Sequence, residues 1–449
     1  MIRSILIANR GEIALRIIRA CRDLGIRSVA VYSNADVDSL HVKMADEAVC
    51  IGGPTPADSY LNGSNIITAA CLTRCDAIHP GVGFLSENSR FAKATENSGL
   101  IFIGPDSETI ALMGDKIEAK RIAKAIGVPT TIGSEGPLAD MQTALSYAEA
   151  VGYPVILKAA AGGGGRGMRI IENRSQMPEM FAAATKEALS YFADGNLLLE
   201  KFIGNARHVE VQLLADSFGN VIHLGERDCS VQHHHQKLIE ESPCAALDEK
   251  TKVRMTDAAI EIFKHIGYRG AGTVEFLLYN DEFYFMEVNT RLQVEHPVSE
   301  MVCGIDIVQQ QIHIAEKEAL PFSQEEVTLT GHALECRINA LSPGKIENYI
   351  PCGGPWVRID SHIYSHYSIG CHYDHLLAKI IVHTSHRNHS IRVMKRALQE
   401  LVIEGIVTNR DQQLQVLDTM QFKTGQFSTN LFDQVMSVQK SQTRKKAYA

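Results

Sequence analysis

The chain has no long apolar run, no closely paired cysteines and no excess of positive charge, and each absence removes a class of function. Nothing in its 449 residues approaches the ~18 consecutive apolar residues of a membrane span. The ten cysteines are scattered and no CxxC occurs, so reduced thiols in a cytoplasm fit better than a disulfide framework. Cys71 and Cys75, four apart in an expected helix, read as buried or partly buried free thiols. A net charge of −8 leaves no dominant basic face for nucleic acid. The opening MIRSILIANRGEIAL carries an early charge and a short apolar strand, not a signal sequence. Its first turn is ANRGE rather than GxGxxG, which speaks against a nicotinamide site, and no Walker GK[ST] occurs. No internal repeat is present.

What is there is an ordinary globular composition, 45% apolar and 21% charged. The length predicts about two to four domains. Ser4–Ala8 reads as a buried strand, Gly11–Leu24 as a helix stopped by Gly25, and Ser28–Tyr32 as the next strand. This βαβ opening predicts a parallel, doubly wound sheet, continued at Asp76–His79 and Ile101–Ile103. Met113–Ala125 reads as one helix. Strands are expected at Tyr153–Ala159, Met168–Ile171, Leu197–Phe202, His208–Ala215, His332–Asn339 and Lys379–His383, and a helix at Ile391–Glu404.

Three stretches carry chemistry. In KAAAGGGGRGM, Lys158–Met168, five of the six residues from Gly162 to Gly167 are glycine. Their backbone N–H groups can turn towards one anion and approach it closely. A flexible linker is the plainer reading, but flanking apolar strands favour a phosphate-covering flap. In TVEFLLYNDEFYFMEVNTRLQVEH, Thr273–His296, two strands flank Asn280-Asp281-Glu282. A three-residue loop would place Glu275 opposite Glu287, whereas a two-residue loop would put them on opposite faces. Opposed like charges destabilise a hairpin unless a hard cation such as Mg²⁺ lies between them. Continued alternation would line Glu287, Asn289, Arg291, Gln293 and Glu295 on one polar face, suited to a metal, an anion and a base; a solvated strand face is the rival. The third stretch is HALECRIN, where Glu335 and Arg337 share a strand face, an arrangement more often structural when it stands alone.

Together these residues resemble the biotin carboxylases of the ATP-grasp superfamily, including the biotin carboxylase subunit of acetyl-CoA carboxylase. The resemblance runs from about residue 2 to 435, through ANRGEIA, KMADEAVCIG, HPGVGFLSEN, FIGP, MGDK, KAAAGGGGRGMR, EKFI, RHVEVQ, ERDCSVQ, YRGAGTVEF, MEVNTRLQVEHPVSE, HALECRINA and YDHLLAK. It implies an α/β and α+β multidomain ATP-grasp protein. The expected parts are an N-terminal Rossmann-like domain at 1–112, an ATP-grasp domain at 113–331 with a mobile lid near 131–203, a C-terminal mixed α/β domain at 332–436, and a disordered tail at 437–449. In that family bicarbonate is phosphorylated by ATP with Mg²⁺ or Mn²⁺ to carboxyphosphate, and biotin on a carrier protein is then carboxylated.

Carried over residue by residue, the resemblance implies that Lys116 and Lys158 hold ATP phosphates, with His208 nearby. Gly163, Gly164 and Gly165 would close over them, with Met168 against the adenine. Glu200, Lys201 and Ile203 would sit at the adenine edge, Leu277 would complete the nucleotide pocket, and Gln232 and His235 would contact the ribose. Glu275, Glu287 and Asn289 would serve the metal. Lys237, Arg291, Gln293 and Val294 would bind bicarbonate, and Glu295 would deprotonate it. Arg337 would stabilise the biotin enolate, with Val82 on the biotin side.

The chain departs from the family pattern at four places. Val82 stands where the family usually has tyrosine in HPGYGF. His233 and His234 replace two arginines in QHHHQK. LSPGKI follows Ala340 directly, a segment about seven residues shorter than usual. Seven histidines fall within Ser361–His389, where a surface metal site or simple polar drift are the two readings. No biotinylation motif of the AMKM type and no carboxyltransferase region is seen, so a separate subunit is expected: a cytoplasmic homodimer working with a biotin carboxyl carrier protein and carboxyltransferase subunits, without nucleic acid or membrane. The component of a pyruvate, propionyl-CoA or urea carboxylase, a related ATP-grasp ligase, and a regulatory nucleotide-binding paralogue are the alternatives.

Overall fold

The apolar start of the chain forms the buried strand Ser4–Ile7, and the helix Gly11–Asp23 follows it. Alternate strand residues serve opposite faces. Ile5 and Ile7 pack with Ile13, Ile17 and Ile18 of that helix, while Leu6 packs with Ile66 and Phe91 from the helices Gly63–Leu72 and Ser89–Asn97. Burial on both faces explains why the strand is wholly apolar apart from Ser4. The sheet is parallel, in the order Glu47–Gly52, Arg27–Ser33, Ser4–Ile7, Ala77–His79, Ile101–Phe102.

These coordinates are a computed structural model that describes residues 1–160, 168–192 and 194–438. Gly163, Gly164 and Gly165 of the expected flap, and the expected tail from residue 439 on, lie outside the described residues. Among the described residues no helix is long and apolar enough to cross a membrane.

An eight-stranded sheet carries the centre of the molecule. Its order is Glu282–Asn289, Gly270–Tyr279, Arg207–Ala215, Val221–His233, Gln236–Ser242, His332–Asn339, Leu376–Thr384, Val357–Ser361. Gln236–Ser242 pairs antiparallel with His332–Asn339, so the sheet runs on past residue 331 without a break. A smaller antiparallel sheet, Arg169–Ile171, Val155–Ala159 and Leu197–Lys201, packs its apolar face on the helix Met141–Val151 and on residues of the helix Met177–Phe192.

Three expectations are corrected. Met113–Ala125 is two helices, Ser107–Gly114 and Lys116–Ala125. Asp115, with ψ 106°, is extended, and its side chain caps the second helix by accepting from the N–H groups of Ile117 and Glu118. The helix expected over Ile391–Glu404 is Arg387–Glu400; Leu401 turns extended and Val402–Glu404 becomes a short strand paired with Asn348–Ile350. Cys71 is exposed, because the helix Gly63–Leu72 stops before Cys75 and only the second thiol reaches the core.

Candidate active site

The strands Gly270–Tyr279 and Glu282–Asn289 are joined by only two residues, Asn280 and Asp281, with φ of 51° and 60°. Positive φ at both central positions matches the twist of a tight hairpin, and Asn and Asp tolerate it. The three-residue loop that would face Tyr279 with Phe283 does not occur; Tyr279 faces Glu282. Glu275 nevertheless lies opposite Glu287. A bulge at Met286, between the partners of Phe276 and Glu275, shifts the register by one residue. The pairing was expected, but its cause is the bulge and not the loop.

The polar alternation also ends earlier than expected. The strand stops at Asn289, and residues 290–294 turn away into the helix His296–Cys303. Gln293 and Glu295 reach the centre through this turn. Glu295 occupies the N-cap position of the helix without capping it, and its carboxylate points elsewhere.

It points to Lys237. The Lys237 Nζ donates to Glu210 at 2.6 Å, Glu275 at 2.9 Å and Glu295 at 2.6 Å. The second Glu295 oxygen accepts from Arg337 at 2.9 Å, and Arg337 Nε donates to Glu240 at 2.6 Å. Behind them Arg227, fully buried, donates to Glu210, Gln212, Ser299, Thr273 and Gln293. Such a buried network is tolerable only when nearly every charge is paired. Burial opposes ionisation of Glu295, but Lys237, Arg337 and Arg227 outweigh it and hold the carboxyl well below its usual range. The same contest at Glu275 is won by Lys237 and His208, whose Nε2 lies 2.9 Å away. Lys237, despite burial, is held protonated by its three carboxylates.

The other residues expected to bind bicarbonate sit around this cluster. Gln293 Nε2 donates to Glu275 at 2.8 Å, and the Val294 carbonyl accepts from Lys379 at 2.9 Å. Arg291 lies one step away, held by Glu87 at 2.7 Å and by the Asn289 amide oxygen at 2.9 Å. Asn289 uses its amide nitrogen on Glu275. Arginine can only donate and a carboxylate only accept, so the amide orientation follows. As a result Asn289 links Arg291 to Glu275.

Where the nucleotide is expected, Glu200 accepts from Lys158 at 2.7 Å and from Lys120 at 2.9 Å. Burial is again outweighed by the two lysines, and the Glu200 carboxyl is held down to about 2. Lys116 approaches Glu287 at 3.6 Å, both half-buried. Leu277 faces His208 across the ladder. Met168 and Ile203 are half-buried near this small sheet, and the Lys201 ammonium is occupied by the carbonyls of Gly152 and Tyr153. Lys201 could therefore offer a ligand its backbone but not its charge.

The stretch QHHHQK is a second tight hairpin. Gln232 and His233 end one strand, His234 and His235 form the turn with φ of 48° and 62°, and Gln236 and Lys237 begin the next strand. His233 Nδ1 lies 2.7 Å from Asp433, and its ring stands beside Phe432. The rings of His233 and His234 lie 3.9 Å apart, but among the described residues the three histidines form no group that could hold a metal ion. Nor, among the described residues, does the histidine-rich segment supply a group of three metal-ligating side chains. Its His362 is buried, which pushes the imidazole down to about 3. Together with Val82, Phe84, Val294, His372 and Tyr373 it lines a cavity of about 300 Å³ on the far side of the cluster.

For a divalent cation the donor set fits in part. Among the described residues Glu287 meets only Lys116, at the longer distance of 3.6 Å, whereas Glu275 already accepts from Lys237, Asn289 and Gln293. Sequence reasoning missed Glu210, Arg227, Glu240, Lys120 and Glu87. Some left a signal: RHVEVQ alternates His208, Glu210 and Gln212 on one strand face, and Lys120 follows Lys116 by one helical turn.

Comparison with known proteins gives a consistent picture. Residues 1–110 match the biotin carboxylase N-terminal domain, 115–323 the ATP-binding domain of carbamoyl-phosphate synthase L chain, and 335–434 the biotin carboxylase C-terminal domain. The chain is 51% identical over 440 residues to a biotin carboxylase of Nostoc sp., covering 96% of this chain and 98% of that one. It is 48% identical over 436 residues to the chloroplastic enzyme of Arabidopsis thaliana, covering 95% and 81%. Among solved structures, a Campylobacter jejuni biotin carboxylase complexed with β,γ-ATP superposes with a TM-score of 0.95 at 51% identity, covering 97% and 99%. The biotin carboxylase domain dimer of Hydrogenobacter thermophilus 2-oxoglutarate carboxylase, with MgADP, ADP and bicarbonate, superposes with a TM-score of 0.94 at 44% identity, covering 97% and 98%.

Proposed function

The chain belongs to the biotin carboxylase family, and from that premise we propose that it carboxylates biotin on a separate carrier protein, driven by ATP. The setting is the first half-reaction of acetyl-CoA carboxylase in fatty acid synthesis. The chain would act as a cytoplasmic homodimer, with carrier and carboxyltransferase as separate partners.

One observation carries the reading. Glu295 is a buried carboxylate held between two cations, Lys237 at 2.6 Å and Arg337 at 2.9 Å. In that state it is ionised but a weak base. Bicarbonate arriving at Lys237, Arg291, Gln293 and Val294 would take over the Lys237 bond. The carboxylate then gains basicity as the substrate becomes more acidic beside the same cations, which suits proton transfer from bicarbonate to Glu295. Arg337, at the end of the cluster, is placed to meet the negative charge that develops on biotin. Lys116 and Lys158 would take phosphate oxygens, with Gln232 and His235 towards the ribose. Glu275 and Glu287 would hold Mg²⁺ or Mn²⁺, which supplies charge neutralisation during phosphoryl transfer.

The test is bicarbonate-dependent ATP hydrolysis with and without free biotin. Stimulation by biotin is expected. ATP binding without stimulation by biotin or any biotinyl carrier would overturn the reading in favour of a regulatory paralogue.

A further inference from the structure

Behind Arg337 lies a second glutamate that the proposed chemistry does not use. Glu335 and Glu240 are direct partners across the antiparallel ladder, and both are fully buried. Glu240 Oε1 accepts from Arg337 at 2.6 Å, but its Oε2 has no hydrogen-bond partner among the described residues, and neither has either oxygen of Glu335. The strand His332–Asn339 turns Leu334, Cys336 and Ile338 into the apolar core, so Glu335 and Arg337 face the other way. On that side Glu335 meets the fields of Lys379, Glu240, Arg337 and Glu295. The adjacent helix His296–Cys303 brings His296 and Glu300, and Lys379 is itself held by Glu12 at 3.0 Å, with Asp360 beside it at 3.8 Å. Among the described residues no cation is dedicated to Glu335.

Two ionised carboxylates directly opposed in a dry sheet would repel with nothing between them. A protonated carboxyl becomes a donor, and an unpartnered carboxylate oxygen on its neighbour is the acceptor it lacks. We propose that Glu335 and Glu240 share one proton at neutral pH, so that a single negative charge stands behind Arg337, and that Glu335 is thereby a positioning residue for the Arg337–Glu295 pair. Burial pushes the Glu335 carboxyl well above its usual range, with Glu240 and Glu295 adding to it and Lys379 and Arg337 opposing. Burial pushes Glu240 up as well, against the pull of Arg337. Loss of the shared proton at alkaline pH would double the negative charge behind Arg337 and weaken its hold on the developing biotin anion.

This rests on the proposed carboxylase reading and deepens it. The experiment is Glu335→Gln, a neutral isostere, in the full chain. The variant is expected to fold. Its ratio of biotin-dependent turnover at high pH to that at neutral pH should exceed the wild-type ratio several-fold. Infrared difference spectra should show that wild type has a protonated carboxylic C=O stretch which the variant lacks. A carboxyl held neutral in the folded state loses stability relative to the unfolded chain as pH rises above the ordinary carboxylate range. The Tm of the variant should therefore gain on wild type with rising pH. Superimposable pH ratios would overturn the proposal, as would the absence of the infrared band from wild type or a Gln variant that cannot fold. The band and the Tm trend are read without turnover. If they appear in a protein that shows no biotin-dependent activity, the carboxylase reading fails while the shared proton stands.

Discussion

The buried cluster around Lys237 and the Lys116–Glu287 pair both set lysine against carboxylate, but they hold it differently. Lys237 is shared by three carboxylates, and its side chain is only 13% exposed. Among the described residues Lys116 has a single ion-pair partner, Glu287 at 3.6 Å, with 24% and 30% of the two side chains exposed. The first arrangement fixes geometry, because removing any member leaves a buried charge unpaired. The second leaves charges free to change partners when a polyanion enters. The buried cluster is thus built to hold reacting groups still, and the half-buried pair to receive a ligand.

The strongest challenge to that contrast is Glu295→Gln. It should lower biotin-dependent turnover by roughly 10²–10⁴-fold with ATP binding largely kept; full turnover would mean that the buried cluster is merely structural. Glu200→Gln removes the partner shared by Lys120 and Lys158 and should raise the KM for ATP about tenfold, with a small effect on kcat, if one charge-assisted pair is lost. It also has a pH signature. The Glu200 carboxyl is held to about 2, against an ordinary 4.5, so its contribution to stability is full above that ordinary value and is lost as pH falls towards 2. Urea midpoints of wild type and variant should converge on acidification; a gap unchanged down to pH 3 would refute the pairing. A smaller effect is expected at the cavity. Val82→Tyr fills space beside Phe84 and Val294 and should lower the KM for biotin several-fold, whereas an unchanged KM would show that the position is neutral. The smallest change should come from His233→Arg combined with His234→Arg at the hairpin tip. The two permanent positive charges of the variant should lower the KM for ATP about twofold at low ionic strength. An unchanged KM would remove these residues from substrate steering.

Much of the fold was legible because local pattern reports local geometry. The βαβ opening and the strand His332–Asn339 were read from alternation and spacing, whereas the Glu275–Glu287 pairing depended on a three-residue loop that does not occur and is restored by the bulge. Where the reading failed, a single residue had overruled the pattern: Asp115 by capping a new helix, Met286 by bulging, and Asn289 by ending the strand. The active-site list came from resemblance, and it omitted Arg227, Glu210 and Glu240 because their motifs carried no role of their own.

The sequence alone determined the faces of the strands, the family, and the residue types available for anion, metal and proton chemistry. Only the tertiary structure decided which charges meet. Lys237 and Glu295 are 58 residues apart, and Arg337 and Glu240 are 97 apart. Strand order brings such pairs together, and burial then turns them into a network. Neither the order of strands nor the depth of burial is encoded in any local window, because each depends on the packing of the whole chain.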